Sequence, residues 1–283
     1  MCFDVRSLAV ARLDDLECRT IAPNSIDYNK LKDLVRICEK RHKRCCAAEP
    51  RPKVLGLEVI DTKTQEVIKA PDQCKYLALS YVWGEQSGGS PGHSIQSSPP
   101  VIKDAISVTN SMGYNYLWVD RYCISDPEER PRIISQMDQI YANASITIIA
   151  AADRDTEMGL CGVSMHRQLQ ERVDIQDTAL LELPFGHENL TSSKWASRAW
   201  TYQEGYLSTR RLIFTNTQIL FLCNGMYAAE SSQQLLKANC YSDHTDEFKH
   251  LIPGFTVSRR RFTALRLDEP IFQVGLGQDG VDH

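Results

Sequence analysis

The stretch "LWVDRYCISDPEERPRIISQMDQIYANASITIIAA", residues 117–151, carries the reading of the fold. It opens on a short apolar run that ends at Asp120. A stripe follows in which Ile133, Ile134, Met137, Ile140, Tyr141 and Ala144 share one face of a helix, with Pro131 suited to its first turn. It closes on "SITIIAA", apolar without alternation. Upstream, "YLALSYVW" at 76–83 is another continuous apolar run, and Val101, Ile102, Ala105, Ile106 and Met112 predict a helix between the two. Strand, helix, strand, helix, strand is the pattern of a parallel sheet, and strands apolar on both faces are those that helices cover from both sides. Ligands of such sheets gather beyond the carboxyl ends of the strands. That rule places Tyr81, Trp83 and Gly84 after the first strand, Asp120 and Arg121 after the second, and Asp153 and Arg154 after the third, around one expected crevice.

Outward from this core, residues 29–44 set Leu31, Leu34, Val35 and Cys38 at helical spacing. "VLGLEVIDTKTQEVIKA" then alternates and turns at Thr62–Gln65, which predicts a β-hairpin. Residues 1–75 thus read as an N-terminal helix and hairpin addition packed on a domain at 76–225. The segment "GEQSGGSPGHSIQSSPP" is a Gly/Ser/Pro loop expected to be exposed, and 155–193, with weak periodicity, reads as an insertion. "RRLIF" and "QILFLC" predict a small hairpin around Asn216 and Thr217. Residues 226–283 form a polar extension, in which "SRRRFTALR" reads as a solvated surface and the last residues as frayed.

Bulk properties exclude several function classes. A formal net charge of -4 argues against affinity built on phosphate neutralisation, so no nucleic-acid partner is expected. No apolar run approaches the roughly 20 residues of a membrane span. The start, "MCFDVRSLAVARLDD", has no continuous apolar h-region, and an intracellular, cytoplasmic chain with reduced thiols is expected. Ten cysteines are spread widely, with one local cluster, "CEKRHKRCC". Its Cys38, His42, Cys45 and Cys46 could present three zinc ligands, or form a helix with buried thiols and a basic exposed face. No second Cys/His pair at finger-like spacing completes a site, so the second reading is preferred and no metal is expected. There is no Gly-x-Gly-x-x-Gly, no phosphate-loop lysine and no Gly-x-Ser-x-Gly elbow around Ser80 and Tyr81. Cys123 reads as a small buried apolar residue, with no histidine near it in sequence.

"SRAWTYQEGYLSTRRLIF" at 197–214 sets Trp200 and Glu204 one helical turn apart, on a shared face. Such a carboxylate has a structural reading, as a helix N-terminal acid or a partner of Arg210, and a chemical one. Asp120 likewise reads as a ligand contact or as a cap for the following turn.

Three blocks, "YLALSYVWG" (76–84), "LWVDRYCISDPEERPRIISQMDQIYANA" (117–144) and "WASRAWTYQEGYLSTRRLIF" (195–214), together resemble the fungal heterokaryon incompatibility (HET) domain. The resemblance covers roughly residues 30–225. It departs after Cys123-Ile124, where Ser125-Asp126 stands in place of the family's usual Asp-Gln. The family implies allorecognition and programmed cell death on fusion of unlike fungal cells. HET domains in turn look like distant relatives of TIR domains, which implies a TIR/flavodoxin-like α/β sheet flanked by helices. Enzymatic TIR domains carry a Trp followed four residues later by a Glu essential for NAD cleavage, and Trp200 and Glu204 show that spacing. On this resemblance Glu204 is the catalytic carboxylate of an NAD hydrolase, and Trp83, Gly84, Asp120, Arg121, Arg198 and Trp200 bind the substrate. NAD is then a substrate, with no separate cofactor. Self-association and an unidentified protein trigger are implied partners. The alternative is a non-catalytic HET module that signals by self-association or partner binding.

Overall fold

The apolar runs form the centre of an eight-stranded mixed sheet. The computed structural model describes residues 8–12, 20–46, 52–83, 95–152, 158–175, 178–182, 190 and 193–231. Its elements begin with β1 (Leu8–Arg12), α1 (Tyr28–Arg41), α2 (Lys43–Cys46), β2 (Glu58–Asp61) and β3 (Glu66–Lys69). The central part comprises β4 (Tyr76–Ser80), α3 (Pro100–Met112), β5 (Tyr116–Trp118), α4 (Asp120–Cys123), α5 (Arg130–Ile134), α6 (Met137–Asn143) and β6 (Ile146–Ala150). After it come β7 (Arg172–Ile175), β8 (Thr178–Glu182), α7 (Ala199–Leu207), β9 (Arg210–Phe214), β10 (Ile219–Cys223) and β11 (Met226–Ala229).

The large sheet has the order β11-β10-β9-β6-β4-β5-β2-β3. Pairings β4–β5, β4–β6 and β6–β9 are parallel. The four parallel strands therefore lie in the order second, first, third, fourth, as in flavodoxin-like doubly wound sheets, and the chain reverses its direction of travel between β4 and β6. Both faces of this centre are covered: all five residues of β4 are buried, as are four of five in β6 and in β9.

The expected hairpin is present, with Asp61 opposite Glu66. It joins the central sheet directly, because β2 pairs with β5. Leu31, Leu34, Val35 and Cys38 of α1 bury their side chains in the core that also holds Leu77, Ile102, Trp118 and Ile148. Trp118 and Tyr141 meet edge to face, with ring centroids 5.4 Å apart. α3 begins on Pro100 and ends at Gly113, whose φ of +88° closes the helix in a conformation that costs other residues strain.

One expectation requires correction. The single helix read over 131–144 is broken into α5 and α6 at Ser135-Gln136. There the Ser135 hydroxyl donates to Arg132 O at 2.7 Å. The Gln136 amide accepts from Leu55 N at 2.9 Å and donates to Leu55 O at 3.3 Å. A side chain that satisfies a distant loop competes with the local helix ladder, which apolar periodicity does not register. The insertion also holds regular structure: β7 and β8 pair, and β8 pairs with β1 to complete a second, three-stranded sheet. Within it, the buried Asp104 of α3 accepts from Leu160 N at 2.6 Å and from the Ser164 hydroxyl at 2.6 Å, anchoring the segment. Gly84 and the rest of the loop at 84–94, Asp153, Arg154, and the C-terminal basic and terminal stretches lie outside the described residues.

Candidate functional site

β4 carries Ser80 to its carboxyl end with no exposed surface. α7 brings Glu204 against it, and the Ser80 hydroxyl donates to Glu204 Oε2 at 2.5 Å. Ser80 is held in turn by Trp195, fully buried in the turn before α7, whose indole Nε1–H donates to Ser80 Oγ at 2.8 Å. Trp195 to Ser80 to Glu204 is thus a buried chain of donors ending on a carboxylate. α7 is positioned independently at both ends. Thr201 donates to Arg198 O at 2.9 Å and also to Trp195 O. The Ser208 hydroxyl donates to Glu204 O at 2.7 Å and meets Thr147 of β6 at 2.5 Å. The buried Arg211 of β9 donates to the carbonyls of Gly205 and, at 3.0 Å, Tyr206. A guanidinium at that end satisfies carbonyls the helix leaves open and complements its dipole.

The second strand exit adds Asp120, partly exposed, which accepts from Arg121 N at 2.7 Å. Arg121 lies under the Trp83 ring, 6.0 Å from its centroid. Burial pushes the Glu204 carboxyl up to about 8, and the charge of Asp120 adds to the shift. Hydrogen bonds from Ser80 and Tyr141 and the positive charge of Arg198 oppose it. Asp120 is pushed up to about 6, again by burial, against the Arg121 amide, the Trp83 indole, Arg198 and Arg121. Both carboxyls are thus raised above the ordinary carboxylate range, Glu204 further than Asp120. The Tyr81 hydroxyl, buried beside them, has no hydrogen-bond partner among the described residues.

The structure therefore brings Trp83, Asp120, Arg121, Arg198 and Glu204 to one sheet edge. Trp200 lies on α7 at 49% exposure and is not core, whereas Glu204 is 7% exposed. The two structural readings of Glu204 fail. It stands past the first turn of α7, and Arg210 turns away to Cys38 Sγ at 3.1 Å and Ser145 O at 3.4 Å. Among the described residues no ion pair holds Glu204. Sequence reasoning missed Trp195, Tyr141 and the role of Ser80. Trp195 had a detectable signal, an indole donor in a polar turn, but its acceptor lies 115 residues away. Cys123 is buried, as read.

At the opposite edge of the sheet Cys38, His42, Cys46 and Cys223 converge, with their ligand atoms all within 4.8 Å of one another. The local cluster is completed by Cys223 of β10 and not by Cys45, which a sequence spacing could not show.

The fold is α/β, a mixed sheet flanked by helices, with two carboxyls near the carboxyl ends of its parallel strands. Within it, residues 76–204 match the family model described as heterokaryon incompatibility protein (HET). The match spans less than half of the chain, and it suggests a role in heterokaryon incompatibility. No curated protein and no solved structure matches the chain. Among the described residues no helix is long and apolar enough to cross a membrane.

Proposed function

We propose that the HET domain hydrolyses NAD to nicotinamide and ADP-ribose as an effector of allorecognition cell death, with Glu204 as the central carboxylate. The supporting observation is the buried Trp195–Ser80–Glu204 chain at the reversal point of the sheet, the position where ligands of doubly wound sheets gather. In the reaction the bond from ribose C1′ to the pyridinium nitrogen breaks, and its electron pair neutralises that nitrogen. Water adds to C1′ and loses its proton. Positive charge on the ribose peaks in the transition state, so a fixed carboxylate favours that state over the ground state. The leaving group needs no protonation, and a second acid is therefore dispensable, unlike the paired carboxyls of ordinary glycosidases. Glu204 with a pKa of about 8 is largely neutral in the free protein. The cationic pyridinium draws its proton off on binding, because an adjacent positive charge favours the ionised form. Arg198 and Arg121 face the diphosphate, and Trp83 and Trp200, both large exposed aromatics, stack on the rings.

The test is nicotinamide release by the purified chain at concentrations high enough for self-association, beside Glu204→Gln. The variant is expected to lose about 100-fold or more in turnover while remaining folded. Absence of turnover at every concentration, with both proteins folded, would favour a HET interaction module acting through self-association or partner binding.

A further inference from the structure

We propose that Cys38, His42, Cys46 and Cys223 bind one structural Zn2+ that fastens the N-terminal helices to the HET core. The four come from three elements. Cys38 lies on α1, His42 is its C-terminal cap, Cys46 ends α2, and Cys223 ends β10. All are buried: Cys38 and His42 are 0% exposed, and Cys46 and Cys223 are 3% exposed. Spacings of four residues place the first three donors along one helical face, and the cap at His42, with φ −104° and ψ 36°, reorients the chain so that α2 returns to the same point. Every donor pair lies within 4.8 Å, and His42 Nδ1 is 3.3 Å from Cys223 Sγ. A tetrahedral zinc with Zn–S bonds of about 2.3 Å needs sulfurs about 3.8 Å apart, so little contraction closes the site.

Three further observations point to a cation. His42 Nε2 is buried with no partner among the described residues, and Nδ1 has only a sulfur beside it. A buried imidazole left that poorly satisfied is costly, and a metal bond removes the deficit. The surrounding donors also suit metal-bound thiolates. Arg210 Nε donates to Cys38 Sγ at 3.1 Å, and Gly225 N donates to Cys223 Sγ at 3.4 Å. Three thiols lose their protons on binding, leaving zinc, three thiolates and a neutral imidazole with net charge −1, which the Arg210 guanidinium balances. Finally, the backbone is shaped for close approach. A Cβ at Gly225 would stand 2.8 Å from His42 Cγ and 2.9 Å from Cys45 Sγ. A cavity of about 360 Å³ bordered by Cys38, His42, Cys46 and Arg210 provides entry. Four protein donors fill the tetrahedron, as in structural rather than catalytic zinc sites. A disulfide would use two of three cysteines and strand the third with His42.

The experiment is elemental analysis of the full chain purified without chelator or added metal, with Cys223→Ser, Cys46→Ser and Cys45→Ser beside it. One zinc per wild-type chain is expected, lost in the first two variants and kept in Cys45→Ser, whose sulfur lies outside the cluster. Chelation should lower the melting temperature by about 10 °C or more, with recovery on adding zinc. Because the Cys223 and Cys46 variants could fail to fold, the metal-free wild type is also titrated with Co2+. Tetrahedral d–d bands and a thiolate charge-transfer band are expected. Wild-type chain free of zinc after growth with added zinc, and silent to Co2+, would overturn the proposal. So would a Cys45→Ser variant as depleted as Cys223→Ser, or a mass two hydrogens lower from a disulfide within the cluster.

Discussion

Glu204 shows how a single side chain sets a pH response. Its ordinary value is 4.5 and its folded value about 8. Between those limits the native state holds a proton that the unfolded chain has released, so stability falls as pH rises through this window. The contribution of this one carboxyl is fully present below about 4.5 and is lost as pH rises through about 8. Asp120, raised to about 6, acts in the same direction over a lower range. Glu204→Gln, which keeps the shape and cannot ionise, is expected to flatten the decline of melting temperature between pH 6 and 8 and to exceed wild type at the alkaline end. Thermal melts across that range check it, and parallel slopes for the two proteins would remove Glu204 from the account. Catalysis demands the opposite protonation state from stability, so the same residue that carries the proposed turnover weakens the fold above neutrality.

At the scale of elements, α7 depends on neighbours more than on its own nine residues. No side chain caps its N-terminus, and its apolar residues do not form a strong stripe. What holds it is Thr201 at one end and the buried Arg211 at the other. Replacing Arg211 by Met leaves two buried carbonyls without this donor and should cost about 2–3 kcal/mol of unfolding free energy. Urea denaturation measures the loss, and hydrogen exchange should place it at the amides of α7. α5 and α6 teach the complementary lesson. Their apolar stripe was legible as one helix, and the break falls where Ser135 bonds back to Arg132 O and Gln136 ties to Leu55.

For the whole molecule, the N-terminal addition is part of the core and of the sheet. It contributes Leu31, Leu34, Val35, Val59 and Ile60 to a shared interior and pairs β2 with β5. A chain begun at residue 76 would expose that pairing edge of β5 and the apolar surface that α1 covers. It is expected to aggregate, whereas the full chain sediments as a defined species, and analytical ultracentrifugation distinguishes the two outcomes. Apolar burial is thus spread across residues that sequence alone divides into separate segments.

The sequence by itself determined the alternation of helices and parallel strands, the hairpin at 58–69, and the strand ends at which Asp120 and Arg121 stand. Those features rest on local periodicity and on strand ends, which neighbouring residues encode. Tertiary structure alone decided that Trp195 holds Ser80 against Glu204, that Arg210 faces Cys38 instead of the carboxylate, that β1 pairs with β8, and that Cys223 joins Cys38, His42 and Cys46. Each of these joins residues more than a hundred positions apart. Their geometry comes from how the elements pack, and no spacing along the chain records it.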